Sequence, residues 1–232
     1  MGNGVIVACR MNSTRLPGKT LAMVEDRALL WYVVSRFARL SESGIPLVVA
    51  TSDQWFDEPI ETWCQANNID CYRGSSEDVA GRLIACARSR GWQHFARVNG
   101  DSPFVDADLV ADGFHRASTG DCSFVTNLVP RSFPYGVAVE VLDTDWYESW
   151  MNEHEDPADR EHVTRSIYSN IESLRFENIE RSGPNLSQWS LTVDTPQDLQ
   201  WFRQYVGQLT QPWEATDYLT AIDESQRQRR AG

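Results

Sequence analysis

The sequence predicts an α/β protein in which helices flank a mainly parallel, Rossmann-like sheet. Through the first half of the chain, short β-rich runs alternate with helical patterns, which is typical of βαβ units. The 232 residues are 41% hydrophobic, so they can bury the core of one α/β domain. We therefore expect a single domain over 1–232, with an inserted α+β segment over 124–180 and a frayed, polar tail over 224–232.

In the first half, each predicted strand is an apolar run, and each predicted helix repeats apolar residues every three or four positions. The predicted strands are Val5–Cys9, Pro46–Thr51 and His94–Val98. The predicted helices are Ala28–Leu40, Pro59–Asn67, Val79–Arg90 and Asp106–Ala117. A capping-box pattern over 75–78 predicts the start of the third of these helices.

The second half has shorter elements, separated by the turn-forming residues Pro130, Pro134 and Gly136. The predicted strands are Phe124–Asn127, Val137–Leu142, Phe176–Ile179 and Leu191–Val193. The predicted helices are Thr144–Asn152, Arg160–Tyr168 and one that begins at Thr195–Pro196, where proline takes a favoured first-turn position.

The net charge of −12 and the pI of about 4.7 restrict the partners of the protein. An acidic surface repels nucleic acid and anionic membranes, so we expect neither as a partner. A small anionic ligand is still compatible with this charge, because Arg10, Arg15 and Lys19 concentrate positive charge in one loop.

The cysteines and the N-terminus predict a cytoplasmic protein. The five cysteines show neither a CxxC motif nor zinc spacing with histidine, and an odd number suits a reducing compartment. The N-terminus has no basic segment followed by an apolar signal core, and no apolar stretch reaches membrane-spanning length.

Lys19 is the only lysine among the 21 lysines and arginines of the chain. It ends the loop Arg10-Met-Asn-Ser-Thr-Arg-Leu-Pro-Gly-Lys19, which follows the first predicted strand. A lysine ammonium is a compact point charge, whereas a guanidinium is a wide planar fork. A compact cation beside a glycine and two arginines suits a triphosphate. The alternative interpretation is a codon bias that spared one lysine on a solvated loop.

Two aspartates also follow predicted strands. Asp101 lies in a Gly-Asp turn after the strand His94–Val98, and Asp194 ends Leu191-Thr-Val-Asp194. Ligands of open parallel sheets collect at the carboxyl ends of the strands. Two carboxylates beside a phosphate-binding loop predict a magnesium site. Taken alone, Asp101 is better explained as a turn residue and Asp194 as a helix cap, and only their combination with the lysine loop favours metal binding.

Eight segments occur in a characteristic order: Arg10–Lys19, Val49–Asp53, Tyr72–Val79, Arg97–Pro103, Phe133–Gly136, Val139–Val141, Arg160–Thr164 and Val193–Leu199. Together they resemble the cytidylyltransferases that make CMP-activated sugars, such as the CMP-3-deoxy-manno-octulosonate and CMP-acylneuraminate synthetases. The resemblance covers nearly the full chain. It is strongest to the branch of spore-coat polysaccharide biosynthesis cytidylyltransferases.

The resemblance implies a GT-A-like nucleotidyltransferase fold. It also implies transfer of CMP from CTP to an acidic sugar or a related acceptor, with release of pyrophosphate, in surface polysaccharide or glycoconjugate biosynthesis. The implied catalytic residues are Lys19, Arg15 and Asp101, and the implied cofactor is Mg²⁺, held by Asp101 and Asp194. The implied nucleotide-binding residues are Arg10, Ser13, Arg15, Lys19, Arg73, Ser75 and Asp78, with Arg73 and Ser75 near the cytosine.

The resemblance further implies that the segment 131–164 contacts the acceptor and builds a homodimer interface. Its candidate acceptor-binding residues are Arg131, Tyr135, Glu140, Arg160 and His162. The residues themselves leave two of these open, because Glu140 in an alternating strand can face solvent and His162 can be a structural or dimer contact. Aromatic and apolar residues beyond the needs of a minimal sheet also predict a dimer; they are Phe133, Tyr135, Trp146 and Trp150.

The sequence departs from the family pattern at two positions, and the second, which lies in the acceptor region, leaves the acceptor open. Ser102 replaces the cysteine that commonly follows the Gly-Asp turn, and Tyr135 replaces a small acidic residue. Two other functions are also compatible with the sequence. One is a P-loop kinase or NTPase, because 13–20 misses the Walker pattern only in its first glycine. The other is a non-catalytic nucleotide-binding protein on the same fold.

Overall fold

The computed structural model describes the backbone of residues 2–231 and the side chains of residues 2–225. Nine strands lie within this part of the chain. They are β1 (Gly2–Ala8), β2 (Met23–Val24), β3 (Arg27–Ala28), β4 (Leu47–Ser52), β5 (Asp70–Gly74), β6 (Trp92–Asn99), β7 (Phe124–Thr126), β8 (Glu140–Asp143) and β9 (Phe176–Asn178).

Ten α-helices accompany these strands in the described part of the chain. They are α1 (Leu29–Val34), α2 (Ala38–Glu42), α3 (Glu58–Ala66), α4 (Val79–Ser89), α5 (Ala107–Thr119), α6 (Thr144–Glu153), α7 (Pro157–Glu161), α8 (Arg165–Ser169), α9 (Pro196–Gly207) and α10 (Tyr218–Ala231). None of the helices in this region is long and apolar enough to cross a membrane.

Seven strands form one sheet in the order β5-β4-β1-β6-β8-β7-β9, and β2 pairs with β3 as a separate hairpin. The strand pairs β5–β4, β4–β1, β1–β6 and β7–β9 are parallel, whereas β8 is antiparallel to both of its neighbours. The predicted mainly parallel α/β sheet is therefore confirmed. The segment 124–180 contributes β7, β8 and β9 to this same sheet.

Both faces of the sheet are buried. Along β1, Val5 and Val7 enter one apolar cluster with α1 and α5 residues, while Ile6 enters a second cluster with α4 and α6 residues. All three side chains are fully buried. Successive side chains of a strand point to opposite faces, so a near-continuous apolar run suits a strand covered on both sides.

Two predicted helices are broken. The helix expected over 28–40 is divided by the 3₁₀ turn Ser35–Phe37, and the helix expected over 160–168 is divided between α7 and α8. In the second break Val163 has a φ of 46°, which is costly for a β-branched residue. The break is favoured because Val163 is 1% exposed and its carbonyl accepts a hydrogen bond from the Tyr147 hydroxyl at 2.8 Å.

Two predicted strands also differ. Leu191–Val193 forms no ladder, because its N–H groups bond to two different segments: Leu191 to the Tyr135 carbonyl at 2.8 Å and Val193 to the Asp101 carbonyl at 2.9 Å. β8 begins at Glu140 instead of residue 137, because the Asn127 side-chain amide bonds to the backbone of residues 137 and 139.

Helix starts follow the expected capping chemistry. Thr195 and Asp198 form a reciprocal capping box at the start of α9, with proline in the first turn. Asp78, rather than Ser75, caps α4 by accepting from the Gly81 N–H at 2.7 Å, and the Ser75 hydroxyl accepts from the Asp78 N–H. The frayed tail expected over 224–232 falls largely outside the described side chains, so it stays a prediction.

Candidate active site

The candidate site lies where the connections of the sheet change direction. From β1 the chain proceeds outward to β4 and β5, and then returns to place β6 on the other side of β1. Ligands of doubly wound sheets bind at such a switch point. The loops that follow β1 and β6 touch there, since the Gly100 N–H donates to the Ala8 carbonyl at 3.0 Å. A Cβ at position 100 would lie 2.6 Å from the Cys9 Cβ, so this approach requires glycine.

Lys19 bridges two carboxylates at this point. Its ammonium Nζ donates to Asp101 Oδ2 at 2.6 Å and to Asp194 Oδ1 at 2.7 Å. The Lys19 side chain is only 10% exposed. It is positioned by the 3₁₀ turn Lys19–Leu21, which follows Gly18 at a φ of 75°. The structure therefore brings Lys19, Asp101 and Asp194 together, with the Lys19 ammonium bonded to the two carboxylates.

Asp194 is available to the site because it does not cap α9. Thr195 is the cap residue, while the carboxylate of Asp194 forms an ion pair with Arg15 Nη2 at 3.0 Å and accepts a hydrogen bond from the Thr192 hydroxyl at 3.1 Å. Burial alone would raise the pKa of Asp194. The hydrogen bond and charge of Lys19, with Thr192 and Arg15, hold this pKa below its ordinary value. These contacts therefore stabilise the negatively charged form of the Asp194 carboxylate.

A cavity of about 310 Å³ opens above these side chains. Six of the residues implied as nucleotide- or metal-binding line it: Arg10, Ser13, Arg15, Lys19, Asp101 and Asp194. Three cations and two carboxylates thus surround one cavity in a protein of net charge −12. Local positive charge of this kind can attract a phosphate chain despite the acidic surface.

The loop that carries these cations is anchored by Asp57, which the sequence analysis missed. Asp57 is fully buried, and its carboxylate accepts from the Met11 N–H at 2.6 Å and from the Ser52 hydroxyl. The Thr20 hydroxyl closes the loop by donating to the Arg10 carbonyl at 2.9 Å. In the sequence, an aspartate just before a helix looks like an ordinary first-turn acid, so nothing local distinguishes Asp57.

The residues implied near the cytosine lie apart from this cavity. The Arg73 guanidinium donates to the Ser52 carbonyl, the Gln54 carbonyl and the Glu61 carboxylate at 2.9–3.1 Å. Ser75 and Asp78 are engaged in the start of α4. The structure therefore gives Arg73 three protein partners and places none of these three residues on the cavity wall.

Glu140, a candidate acceptor-binding residue, lies in the protein interior. It is 3% exposed and pairs with Arg97, and it also accepts hydrogen bonds from the Thr164 and Tyr168 hydroxyls at 2.9 and 2.8 Å. The expectation that it faces solvent is wrong. The carboxylate therefore has three buried or half-buried polar partners within the chain.

The other acceptor candidates fall into two places. Arg131 stacks over the Tyr135 ring at 5.0 Å, and Tyr135 is 50% exposed. Arg160 pairs with Asp78 at 3.4 Å and donates to the Met151 carbonyl, while exposed His162 ends α7. The structure thus separates the Arg131–Tyr135 stack from Arg160 and His162.

Asp101 and Asp194 fit the donor set that magnesium uses. In the described part of the chain, no group of three or more His, Cys, Asp or Glu side chains could hold a metal ion. Magnesium is commonly held by only one or two carboxylates together with substrate phosphates. Two aspartates that share a cation beside a phosphate-sized cavity satisfy that pattern.

The P-loop alternative does not fit the loop geometry. A P-loop leads into an α-helix whose first N–H groups face the phosphates. Here Lys19 begins a three-residue 3₁₀ turn, and the β2–β3 hairpin follows directly. The loop therefore lacks the helix that defines a P-loop.

The sheet order and the cation-lined site at its switch point define a nucleotidyltransferase-type α/β protein. The model of one protein family, described as cytidylyltransferase, matches residues 4–204. The chain therefore belongs to the cytidylyltransferase family, as its motifs predicted.

Individual relatives agree with this assignment. The chain is 31% identical over 201 residues to the spore coat polysaccharide biosynthesis protein SpsF of Bacillus subtilis, covering 83% of this chain and 81% of that protein. It is 35% identical over 111 residues to a 3-deoxy-manno-octulosonate cytidylyltransferase of Acinetobacter baumannii, covering 46% of this chain and 42% of that one. A cytidylyltransferase structure from Leptospira borgpetersenii serovar Hardjo-bovis matches with a TM-score of 0.89 at 26% identity, covering 99% and 96% of the two chains.

Proposed function

We propose that this chain transfers CMP from CTP to an acidic sugar or a related acceptor and releases pyrophosphate, in surface polysaccharide or glycoconjugate biosynthesis. The observation that carries the proposal is the Lys19 ammonium held between Asp101 and Asp194 in a cation-lined cavity at the switch point. Membership of the cytidylyltransferase family supports CTP as the donor. The name of the Bacillus subtilis relative supports a role in polysaccharide synthesis.

In this reaction an acceptor oxygen attacks the α-phosphorus of CTP in line. The bond from the α-phosphorus to the bridging oxygen breaks, and pyrophosphate carries away the electron pair. The protein supplies position and charge neutralisation rather than a covalent nucleophile. We assign Arg10, Ser13, Arg15 and Lys19 to the triphosphate, because their side chains line the cavity.

We assign magnesium binding to Asp101 and Asp194. A bound Mg²⁺ supplies charge neutralisation at the phosphate oxygens. Lys19 forms an ion pair with each of the two carboxylates, so the aspartates do not face each other as unpaired charges. Arg15 is a second cation paired with Asp194. Its side chain is 65% exposed, so it can also bind a phosphate.

The acceptor class rests on the relatives. The name of the Acinetobacter baumannii enzyme supports an octulosonate-type acid. The deciding experiment is a screen for pyrophosphate release with four nucleoside triphosphates against a panel of nonulosonates, deoxy-octulosonates and other acidic acceptors. We expect release only with CTP and an acid acceptor. Tight CTP binding without release for any acceptor would favour the non-catalytic alternative.

CTP with Mg²⁺ should raise the melting temperature more than ATP or GTP does. A ligand at 100 times its Kd adds about 2.7 kcal/mol of stability, which is about 5–10 °C for a chain of this size. The measurement is differential scanning fluorimetry with each triphosphate, with and without EDTA. Equal shifts for all four nucleotides would show that the site does not select cytosine.

We also propose a homodimer, although the side chains that predicted it are mostly used within the chain. Phe133 is 3% exposed, and half-buried Trp146 and Trp150 stack on each other with the Trp150 indole donating to Ser166. Only Tyr135 of that set is exposed. Light scattering at micromolar concentration should give twice the chain mass of 26.4 kDa. A mass equal to that of one chain would contradict the proposed dimer.

The cytoplasm is the proposed location. All five cysteines are free thiols in the structure, and Cys9, Cys64 and Cys86 are buried. Free buried thiols agree with the reducing compartment that the odd cysteine count predicts.

A further inference from the structure

The carboxylate oxygens of Asp101 and Asp194 all have hydrogen-bond partners within the chain. Lys19 Nζ donates to Asp101 Oδ2 at 2.6 Å and to Asp194 Oδ1 at 2.7 Å. Of the two remaining oxygens, Asp101 Oδ1 accepts from the Ser102 hydroxyl at 3.3 Å, and Asp194 Oδ2 accepts from the Thr192 hydroxyl at 3.1 Å. A metal ion that binds these carboxylates must therefore replace contacts that the chain itself makes.

The charges at this bridge also balance. Lys19 and Arg15 are two cations paired with the two carboxylates of Asp101 and Asp194. Arg15 Nη2 lies 3.0 Å from the same Asp194 Oδ1 that Lys19 contacts. A divalent cation is repelled by an ammonium or a guanidinium at this range, and magnesium gives up its water reluctantly. The two aspartates, paired in this way, therefore offer little attraction to a magnesium ion.

A triphosphate changes this balance, because it offers both cations a second anion. Arg15 and Lys19 line the cavity beside the carboxylates. The Arg15 side chain is 65% exposed, so its guanidinium can turn from Asp194 to a phosphate oxygen. A lysine ammonium is a point charge on a flexible stem, so it can also shift toward a phosphate. Either movement leaves net negative charge on the aspartates.

We propose that Lys19 and Arg15 make metal binding at Asp101 and Asp194 conditional on the nucleotide. This inference rests on the proposed use of CTP with Mg²⁺. The two cations neutralise the carboxylates until phosphates engage them, so the metal binds together with the nucleotide and only weakly by itself. The coupling is reciprocal, because the factor by which the nucleotide raises metal affinity equals the factor by which the metal raises nucleotide affinity.

The test measures Mn²⁺ binding without nucleotide, from the loss of the free-ion signal in electron paramagnetic resonance. Mn²⁺ takes the same carboxylate oxygens as Mg²⁺. We expect weak binding to wild type and a Kd lower by roughly 5- to 150-fold in Lys19→Gln, the usual range of a coupling between two sites. Arg15→Gln should show a smaller gain, because the Arg15 side chain is mostly exposed. The matched control Arg116→Gln, which removes a surface cation from α5, should bind Mn²⁺ like wild type.

A double variant locates the bound ion. Lys19→Gln combined with Asp101→Asn should lose the gain in Mn²⁺ affinity, because it removes one of the two carboxylates. If the double variant keeps the gain, the ion binds elsewhere and the inference is wrong. Calorimetry supplies a measurement that needs no variant: CTP should bind wild type more tightly with Mg²⁺ than with EDTA. Equal Kd values would overturn the coupling even if circular dichroism shows Lys19→Gln to be unfolded.

The outcomes separate this inference from the proposed function. If wild type and folded Lys19→Gln bind Mn²⁺ with the same Kd, the inference is wrong, while pyrophosphate release with CTP still supports the proposed function. If Lys19→Gln gains Mn²⁺ affinity but no triphosphate binds or reacts, the proposed function is wrong, while exclusion of the metal by Lys19 stands. Micromolar binding of Mn²⁺ to wild type without nucleotide, lost in Asp101→Asn, would contradict the inference directly.

Discussion

Lys19→Arg should lower the turnover number of CMP transfer by ~10²- to 10³-fold, the scale of one misplaced contact to developing charge, or about 2.7–4 kcal/mol. The substitution keeps the positive charge. However, the ammonium is nine-tenths buried and bonds to two different carboxylates at 2.6 and 2.7 Å. A guanidinium is wider, and its donors are fixed in one plane, so it cannot reproduce a compact bridge in the same space.

The measurement is turnover with CTP and an identified acceptor, together with circular dichroism. Arg116→Lys is the matched control, because Arg116 lies on α5 with ordinary surface ion pairs to Asp112 and Glu177. Exposed pairs of this kind contribute only ~0–1 kcal/mol, so the control should turn over at the wild-type rate. A wild-type rate for Lys19→Arg would instead favour codon bias as the reason for the single lysine.

The part of the site nearest the chemistry could be predicted from the sequence. Lys19 and Asp101 follow β1 and β6, and the carboxyl ends of parallel strands meet at one edge of the sheet. Asp194 follows a predicted strand that forms no ladder, and the hydrogen bond from the Val193 N–H to the Asp101 carbonyl holds it beside the other two residues. The start of α9 could also be predicted, because Thr195 and Pro196 are residues that favour the first turn of a helix.

The features that the sequence did not show depend on contacts between distant segments. β5 was missed because Asp70-Cys-Tyr-Arg-Gly74 is polar and half-exposed at the edge of the sheet, so no buried strand pattern marks it. In the sequence nothing indicates that Arg73 has partners within the chain. In the structure its guanidinium donates hydrogen bonds to Glu61 and to two backbone carbonyls. Asp57 carries no local pattern, since its importance comes from the hydrogen bond that it accepts from the distant Met11 N–H.

The largest stability effect is expected at Glu140, which forms an interior ion pair with Arg97. Arg97 on β6 and Glu140 on β8 face each other across antiparallel strands, and the Arg97 side chain is 19% exposed. Burial alone would lower the pKa of Arg97, but the charge and hydrogen bond of Glu140 raise it above its ordinary value. The buried charge of Arg97 is therefore stabilised by Glu140.

Glu140→Gln should destabilise the fold by ~3–5 kcal/mol, because it leaves the Arg97 charge buried without a counter-charge. For a chain of this length that loss lowers the melting temperature by about 6–20 °C, measured by calorimetry. The control Glu148→Gln removes a carboxylate from the exposed Arg88 pair and should cost less than about 1 kcal/mol. The double variant Arg97→Met with Glu140→Gln should recover part of the loss, since neither charge is then left unpaired. An unchanged melting temperature for Glu140→Gln, with a raised KM for the acceptor, would restore Glu140 as an acceptor-binding residue.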